Sequence, residues 1–439
     1  MDTVVRGGTV VTCDINDFVV RGDVVIRGRN IVSVGIGAAR PPARVLDASG
    51  CAVVPGFVQA HVHLCQVLMR GMADDLPLLE WLRHRIWPLE AAHDARTLRA
   101  SADLGLAEIM LAGTTTILDM GTVHEHDVVM DACVRAGIRA ISGKAMMDAG
   151  AGLPARLCES TRASLSDSER LAHAWHGKGD GRIGYAWAPR FLLSCSEALV
   201  RGAVERAKAR GELLHTHAAE NMAEREAVRC AFGDDDVAVL RRWGFSGPRA
   251  ILAHGVHLRD DEIAAIASEG TRVVHCPSAN LKLGSGIARV ADLDRQGVAL
   301  ALGADGAPCN NNLDPWTELR HAALLARVRT GITSLPARRA VRLATIDGAR
   351  ALGVDGITGS IEEGKRADLV VVRLDGAHAE PAGDVFSRLV YACGARDVRH
   401  VLVDGTPVVK DGIHQTLDTE LVKARARAHA RRLASRAGL

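Results

Sequence analysis

Over the first fifty positions apolar and polar residues alternate in short bursts, and then the rhythm changes. TVVRGGTVVT, DVVIRGRNIVSVG and ARVLDASGCAVV are runs of β-forming residues cut by glycines and polar turns, a pattern of short strands joined by tight connections. KRADLVVVRL and VRHVLVDGTPVVKDG repeat it near the other end. Short strands need partners, so residues 1–55 and 356–415 are expected to combine into one small β-sandwich. Between them, runs rich in Val, Ile, Ala and Leu alternate with amphipathic helical stretches, as βα units do around a parallel sheet buried on both faces. The strand candidates are VVPGFVQAHVHL, TTTILDM, RAISGKAMM, RIGYAWAPR, ELLHTHAAE, ILAHGVHL, TRVVHCPSA and VALALGADG. Eight such units close a TIM-type (β/α)8 barrel. The expected fold class is therefore α/β: a barrel over residues 56–355 inserted between the halves of the β-sandwich, with a C-terminal helix over 416–439.

Two helices can be bounded from their ends. DARTLRASADLGLAEIMLAG starts at Asp94 and stops at Gly113, a carboxylate cap and a glycine terminator. TLDTELVKARARAHARRLASRAGL is strongly basic with a helical period and is expected to be a solvated surface helix.

Composition narrows the function classes. A chain of 439 residues, 48% hydrophobic and 24% charged, has the balance of a globular enzyme with a large core. A formal net charge of +2 leaves no electrostatic footprint for nucleic acid or an anionic membrane. The start, MDTVVRGGTVVTCD, lacks a basic and apolar leader, and no later run is apolar for long enough to cross a bilayer, so a cytoplasmic protein is expected. Ten cysteines without a C-x-x-C pair read as reduced thiols; Cys65, Cys276 and Cys309, beside the candidate site, are expected to be structural.

Ionisable residues collect at the C-terminal ends of the barrel strands, where βα loops form an open mouth suited to chemistry. The first strand ends in His61-x-His63, and residues two apart on a strand share a face, so both imidazoles can reach one ion. The fifth ends in HTHAAE, with His217 and Glu220; the sixth ends in His254 and the eighth in Asp305. Imidazoles and a carboxylate suit one divalent ion, zinc or alternatively ferrous iron. Such an ion lowers the pKa of a water to about 7. His61, His63, His217 and Asp305 are the expected ligands, with Asp305 also accepting the water proton, Glu220 transferring a proton to the substrate and His254 orienting the nucleophile. No lysine ends the fourth strand, RIGYAWAPR, so a bridging carbamate for a second metal has no source there.

Other residues carry less. His124 to His126 form HEH, but H-E-x-x-H would need histidine where Val128 stands, and a surface loop is expected. His257 reads as a loop or supporting residue, and His275 as a cavity-facing donor or a core residue. The H-x-E with P-C-x-x-C of the cytidine-type zinc deaminases is absent. The glycines around Gly284 and Gly286 lack a phosphate-loop context.

Taken together, PGFVQAHVHL, GTTTILDM, HTHAAE, LAHGVHL, HCPSANLKLGSG, LGADGAPCNN and GSIEEGKRADLVVV resemble the amidohydrolase superfamily, in particular its mononuclear-metal deaminases of purines and related heterocycles. The resemblance covers nearly the whole chain and implies the same roles for the six residues above, and a homodimer or larger assembly. LCQ, DLPLLEWL and APRFLLSCSE look like guanine deaminases. By that likeness Gln66 and Arg190 hold the substrate, with amide and guanidinium donors suited to a purine edge. GAPCNNNLDPWTELRHAALLARV and RGMADDLPLLEWLRHRIWPLE look more like the deaminases of 5′-deoxyadenosine, methylthioadenosine and S-adenosylhomocysteine, which shade into the s-triazine hydrolases. Trp81, Trp87 and Trp316 are candidates to line the mouth or to sit in the core. The expected function is hydrolytic deamination of an amino-substituted N-heterocycle, a small molecule of purine or purine-nucleoside type. An s-triazine amino- or chlorohydrolase is the nearest alternative, then a cyclic-amide hydrolase, and last a catalytically silent binding barrel.

Overall fold

A computed structural model describes residues 2–35 and 43–439. The chain opens with β1 (Asp2–Val11), β2 (Val19–Arg27), β3 (Asn30–Gly35), β4 (Ala43–Asp47) and β5 (Cys51–Pro55). One residue later the barrel begins. Its strands are β6 (Phe57–Val62), β7 (Thr114–Met120), β8 (Arg139–Gly143) with its short continuation β9 (Ala145–Met146), β10 (Ile183–Pro189), β11 (Leu213–Ala218), β12 (Ala250–His254), β13 (Arg272–His275) and β14 (Leu300–Leu302). Each lies parallel to its neighbour in chain order. A parallel bridge between Val62 and Asp305 and the hydrogen bond from Asp305 N–H to the His61 carbonyl, 3.1 Å, close the ring between the last strand and the first.

Every barrel strand is buried on both sides, which is why its sequence reads as an almost continuous apolar run. Val58, Ala60, Leu118, Ile141, Ala186, Ile251, Val274 and Ala301 belong to one core cluster. Their neighbours Ile117, Ala140, Trp187, Leu252, Val273 and Leu302 belong to another, shared with the surrounding helices. The alternation is that of successive residues pointing to opposite faces.

The chain ends its sheet content with β15 (Leu369–Arg373), β16 (Val398–Val403), β17 (Thr406–Lys410) and β18 (Ile413–His414). Among the described residues these join β1–β5 in one mixed sheet, ordered β18-β17-β16-β15-β5-β1-β2-β3 with β4 on β1. β15 pairs antiparallel with β5, so the two termini meet at the centre of the sheet. The sheet is strongly curled: Ile31 N–H donates to the Lys365 carbonyl at 2.8 Å, and Ala367 N–H to the Arg29 carbonyl at 2.9 Å. Val10, Val24, Val53, Val371 and Leu402 form its own core on one face. Ala52, Val54, Val370 and Val372 belong to the cluster shared with the barrel helices. Gly405 shows how tightly the ends approach, because a Cβ there would lie 2.5 Å from the Gly28 carbonyl oxygen. Arg139, at the base of β8, fastens sheet to barrel through Asp368 (3.0 Å) and Asp404 (2.6 Å).

The helix Ala95–Leu111 is capped by Asp94, whose carboxylate accepts the Thr97 N–H at 2.8 Å. The terminal helix Thr419–Arg436 lies against it, burying Val422, Ala426 and Leu433 and leaving its basic face in solvent. One expectation fails here: of the HEH triplet Glu125 is exposed and His124 half-buried, whereas His126 is buried at the start of the helix His126–Ala136 and sits 3.0 Å from Ser142 Oγ. The helix swings that imidazole back over the barrel wall, a placement that no local pattern in the triplet announces. Among the described residues no helix is long and apolar enough to cross a membrane, and all ten cysteines are free.

Candidate active site

Four strand ends bring the predicted histidines and carboxylates together at the barrel mouth. On β6 the inward positions are Val58 and Ala60, so plain alternation would turn His61 toward the helices. The register with β7 shifts between Gln59 and Val62, giving β6 one extra residue. This bulge turns His61 and His63 inward and Val62 outward. His254, the last residue of β12, and Asp305, beyond β14, stand at φ 76° and φ 63°. That left-handed conformation, costly for residues with a Cβ, breaks the alternation and aims both side chains into the mouth.

The resulting cluster is tight. His61 Nε2 and His63 Nε2 lie 3.3 and 3.2 Å from Asp305 Oδ1, and His63 Nε2 lies 3.2 Å from His217 Nε2. The donor atoms of His61, His217, His254 and Asp305 all fall within 4.8 Å of one another. Behind the cluster, His63 Nδ1 contacts the Met120 carbonyl at 2.7 Å and His217 Nδ1 the Arg190 carbonyl at 2.7 Å. His61 Nδ1 meets His215 Nε2 at 2.8 Å, and His254 Nδ1 meets Asn280 Oδ1 at 2.8 Å. A carbonyl only accepts, so His63 and His217 carry their protons on Nδ1 and present bare Nε2 lone pairs to each other. Two lone pairs and a carboxylate at about 3.2 Å repel unless a cation lies among them. His61 Nε2 and His254 Nε2 are buried and lack a hydrogen-bond partner among the described residues. Burial pushes the His61 pKa down to about 4 and holds His217 well below the ordinary value, keeping both neutral as ligands must be. This donor set accepts a divalent metal ion.

Glu220 and His254 stand beside it, with His254 Nε2 3.6 Å from Glu220 Oε2 and 3.8 Å from Asp305 Oδ2. Burial, and then the charge of Asp305, raise the Glu220 pKa well above the carboxylate range. Asp305 is shifted the other way. Burial opposes its ionisation, but hydrogen bonding and positive charge on the side of His61 and His63, which a bound cation would supply in their stead, draw it well below the ordinary range.

A narrow cavity opens on the cluster, and Gln66, Trp81 and Arg190 line it together with Glu220 and Asp305. Gln66 and Arg190 are joined through a residue that the sequence did not single out: Gln66 Nε2 donates to Glu90 Oε1 at 2.8 Å, and Arg190 pairs with Glu90 Oε2. All three side chains are buried. Glu224 also lines the cavity and was not anticipated; its place four residues after Glu220 was the available signal. His275 ends β13 as expected but is not among the cavity-lining residues, and its buried Nδ1 lacks a partner among the described residues. Trp87 and Trp316 are core residues; Trp316 packs edge-on against Phe57 and donates to the Ala112 carbonyl at 2.9 Å. His257, half-buried, contacts the Ser285 carbonyl at 2.7 Å from a supporting loop. At the end of β10 stand Pro189 and Arg190; the buried lysine of this region, Lys144, follows β8 and is paired with Glu159 at 2.8 Å and Asp167 at 3.0 Å.

Residues 52–408 match the model of the amidohydrolase family. The chain belongs to that family. Among curated amidohydrolase relatives, the 5-methylthioadenosine/S-adenosylhomocysteine deaminase of Haloarcula marismortui is 38% identical over 440 residues, spanning 100% of this chain and 99% of that protein. Among solved structures, an adenosine deaminase from Xanthomonas campestris with bound zinc superposes with a TM-score of 0.93 at 33% identity, covering 99% of both chains. The zinc complex of an atrazine chlorohydrolase from Arthrobacter aurescens gives a TM-score of 0.90 at 25% identity over 98% of this chain and 100% of the other. The chain is thus an amidohydrolase, an enzyme of hydrolytic C–N chemistry on a metal-accepting barrel.

Proposed function

We propose that this amidohydrolase is a zinc-dependent aminohydrolase that replaces the exocyclic amine of a purine or purine nucleoside by oxygen and releases ammonia. The observation that carries it is the placement of two buried carboxyls at one mouth, Glu220 and Asp305, 3.6 and 3.8 Å from His254 Nε2, because deamination needs a donor for the ring and an acceptor for the water. His61, His63, His217 and Asp305 are the assigned ligands. His63 belongs in that set because its Nε2 faces a bare Nε2 of His217, whereas His254 faces the two carboxylates. Zinc is favoured by the nitrogen and oxygen donors and by the zinc bound in the two structural relatives.

When bound, the ion supplies Lewis acidity and lowers the pKa of a water to about 7. The remaining work falls to the chain's own groups. Glu220 donates its proton to a ring nitrogen, which makes the adjacent carbon electrophilic. Asp305 accepts the proton of the attacking water, and His254 Nε2 orients that water by hydrogen bonding. Asp305 passes the proton it took from water to the departing amine, which leaves as ammonia, and the hydroxyl proton of the carbon adduct returns to Glu220 as the oxo product forms. Arg190, its charge balanced by Glu90, keeps further N–H donors for acceptors on the substrate. The relative named a 5-methylthioadenosine/S-adenosylhomocysteine deaminase supports the nucleoside side of the assignment. Ten free thiols support a cytoplasmic setting. The exposed stripe Leu324 and Val328 on the helix Pro315–Thr330 is an area on which a homo-oligomer could form.

The deciding experiment is ammonia release by the zinc-loaded protein from guanine, 5′-deoxyadenosine, S-adenosylhomocysteine and aminotriazines, for the wild type and Glu220→Gln. A deaminase loses roughly 10²–10⁴-fold of its turnover in the variant with its zinc retained. Undiminished ammonia release by the variant removes the proposed proton transfer. Chloride release from a chlorotriazine that survives the substitution would instead favour the triazine alternative, since chloride departs without a proton.

A further inference from the structure

Glu220 does not stand on a strand; it follows Ala219, which has a left-handed φ of 53°. A turn of that kind at a residue with a Cβ persists only when its surroundings hold it. Two buried acids do so here. The Ala219 N–H donates to Asp236 Oδ2, and the Glu220 N–H donates to Glu224 Oε2 at 3.2 Å. Glu224 belongs to the helix Met222–Phe232 and Asp236 to the helix Asp236–Arg242, so consecutive amides of one turn are gripped from two elements. Both carboxyls are all but inaccessible to solvent.

The grip extends to the loop that carries His254. Gly255 N–H donates to the Ala218 carbonyl at 3.1 Å and His257 N–H to the Ala219 carbonyl at 2.9 Å. Arg225, also buried, lies 3.8 Å from Asp236, 3.0 Å from Asp235 and 2.8 Å from Glu262, and donates to the His257 carbonyl. The backs of the two loops are therefore tied to one buried cluster of charges that does not itself line the cavity, apart from Glu224.

We propose that Asp236 and Glu224 are positioning residues that act through the Ala219 and Glu220 amides, holding the turn that points the Glu220 carboxyl at the reacting atoms. Arg225 anchors Asp236 and the neighbouring His254 loop. This inference rests on the aminohydrolase assignment for its kinetic consequence and on the backbone geometry alone for its structural one.

The test compares acceptor-removing with acceptor-keeping substitutions: Asp236→Leu and Glu224→Leu against Asp236→Asn and Glu224→Gln, all zinc-loaded. Deuterium exchange of the segment 218–221 is followed alongside kcat and KM on the best wild-type substrate. The expected result is faster exchange of that segment in the Leu variants, with kcat lowered 10- to 100-fold and KM within about twofold. The Asn and Gln variants keep both near wild type, because an amide oxygen still accepts the backbone N–H. Folded Leu variants with unchanged exchange and kcat overturn the proposal. So do Asn and Gln variants that lose kcat as severely as the Leu pair, since charge rather than the acceptor would then be at work. If the Leu variants do not fold, the Asn and Gln variants alone decide, retained kcat and exchange supporting the proposal and their loss overturning it. A wild type without aminohydrolase activity refutes the proposed function, while the exchange comparison still judges the grip.

Discussion

At the scale of single residues, the chemistry depends on where protons sit, and burial places them. His61 and His217 are driven toward their neutral forms by desolvation, and the pKa of the Glu220 carboxyl is raised for the same reason. The Glu90–Arg190 pair is the counterpart case, two opposite charges sharing one dry environment. Replacing one partner leaves the other uncompensated, so Glu90→Gln is expected to cost about 3–5 kcal/mol of unfolding free energy. Urea denaturation of the metal-loaded proteins checks this, and the double variant Glu90→Leu/Arg190→Met should regain most of the loss. The types and strand-end positions of the six core site residues were legible in the sequence. Glu90 was not, because a glutamate inside WPLEAA looks like any helical surface residue until the fold brings it against Arg190.

At the scale of elements, capping and strand ends decide the local geometry. Asp94 caps the helix Ala95–Leu111 and also pairs with Arg436 of the terminal helix at 2.7 Å. Asp94→Ala should lower stability by about 1 kcal/mol, mostly through the lost cap, since the exposed pair adds little; thermal unfolding at fixed zinc is the measurement. Glu318 ties two βα loops to the helix Pro315–Thr330, accepting Ser278 N–H at 3.1 Å and Asn310 Nδ2 at 2.8 Å. Burial pushes its pKa up to about 7 from an ordinary 4.5. Because the folded value is the higher one, its contribution is fully present below about pH 4.5 and is lost as the pH rises through about 7. Relative to Glu318→Gln, the wild type should therefore weaken across that interval by up to about 3 kcal/mol, and parallel denaturation series at several pH values would show no such drift if Glu318 titrated normally. The helix bounds at Asp94 and Gly113 could be read from their capping residues. The bulge on β6 could not, since it is created by pairing with a strand some fifty residues away.

At the scale of the whole molecule, closing the barrel assembles the site, and the site in turn strains the closed ring. Bare imidazole nitrogens facing one another and a carboxylate are tolerable only around a cation, so metal binding should add directly to fold stability. Dialysis against a strong chelator is expected to lower the unfolding temperature by several degrees and abolish turnover, with both restored by zinc; an unchanged melting temperature after verified metal loss would contradict the geometry. The sequence by itself determined the alternating βα architecture, the joining of both termini into a second sheet, and the identity of the groups at the strand ends. It could do so because period-two burial and strand-end chemistry are local properties of the chain. Only the tertiary structure decided which way those groups point: alternation along β6 would have sent His61 to the helices, and the residue inserted against β7 turns it to the mouth. The left-handed turns at Ala219, His254 and Asp305 likewise exist because neighbouring strands and helices hold them there, and contacts between residues far apart in sequence leave no mark on the local pattern.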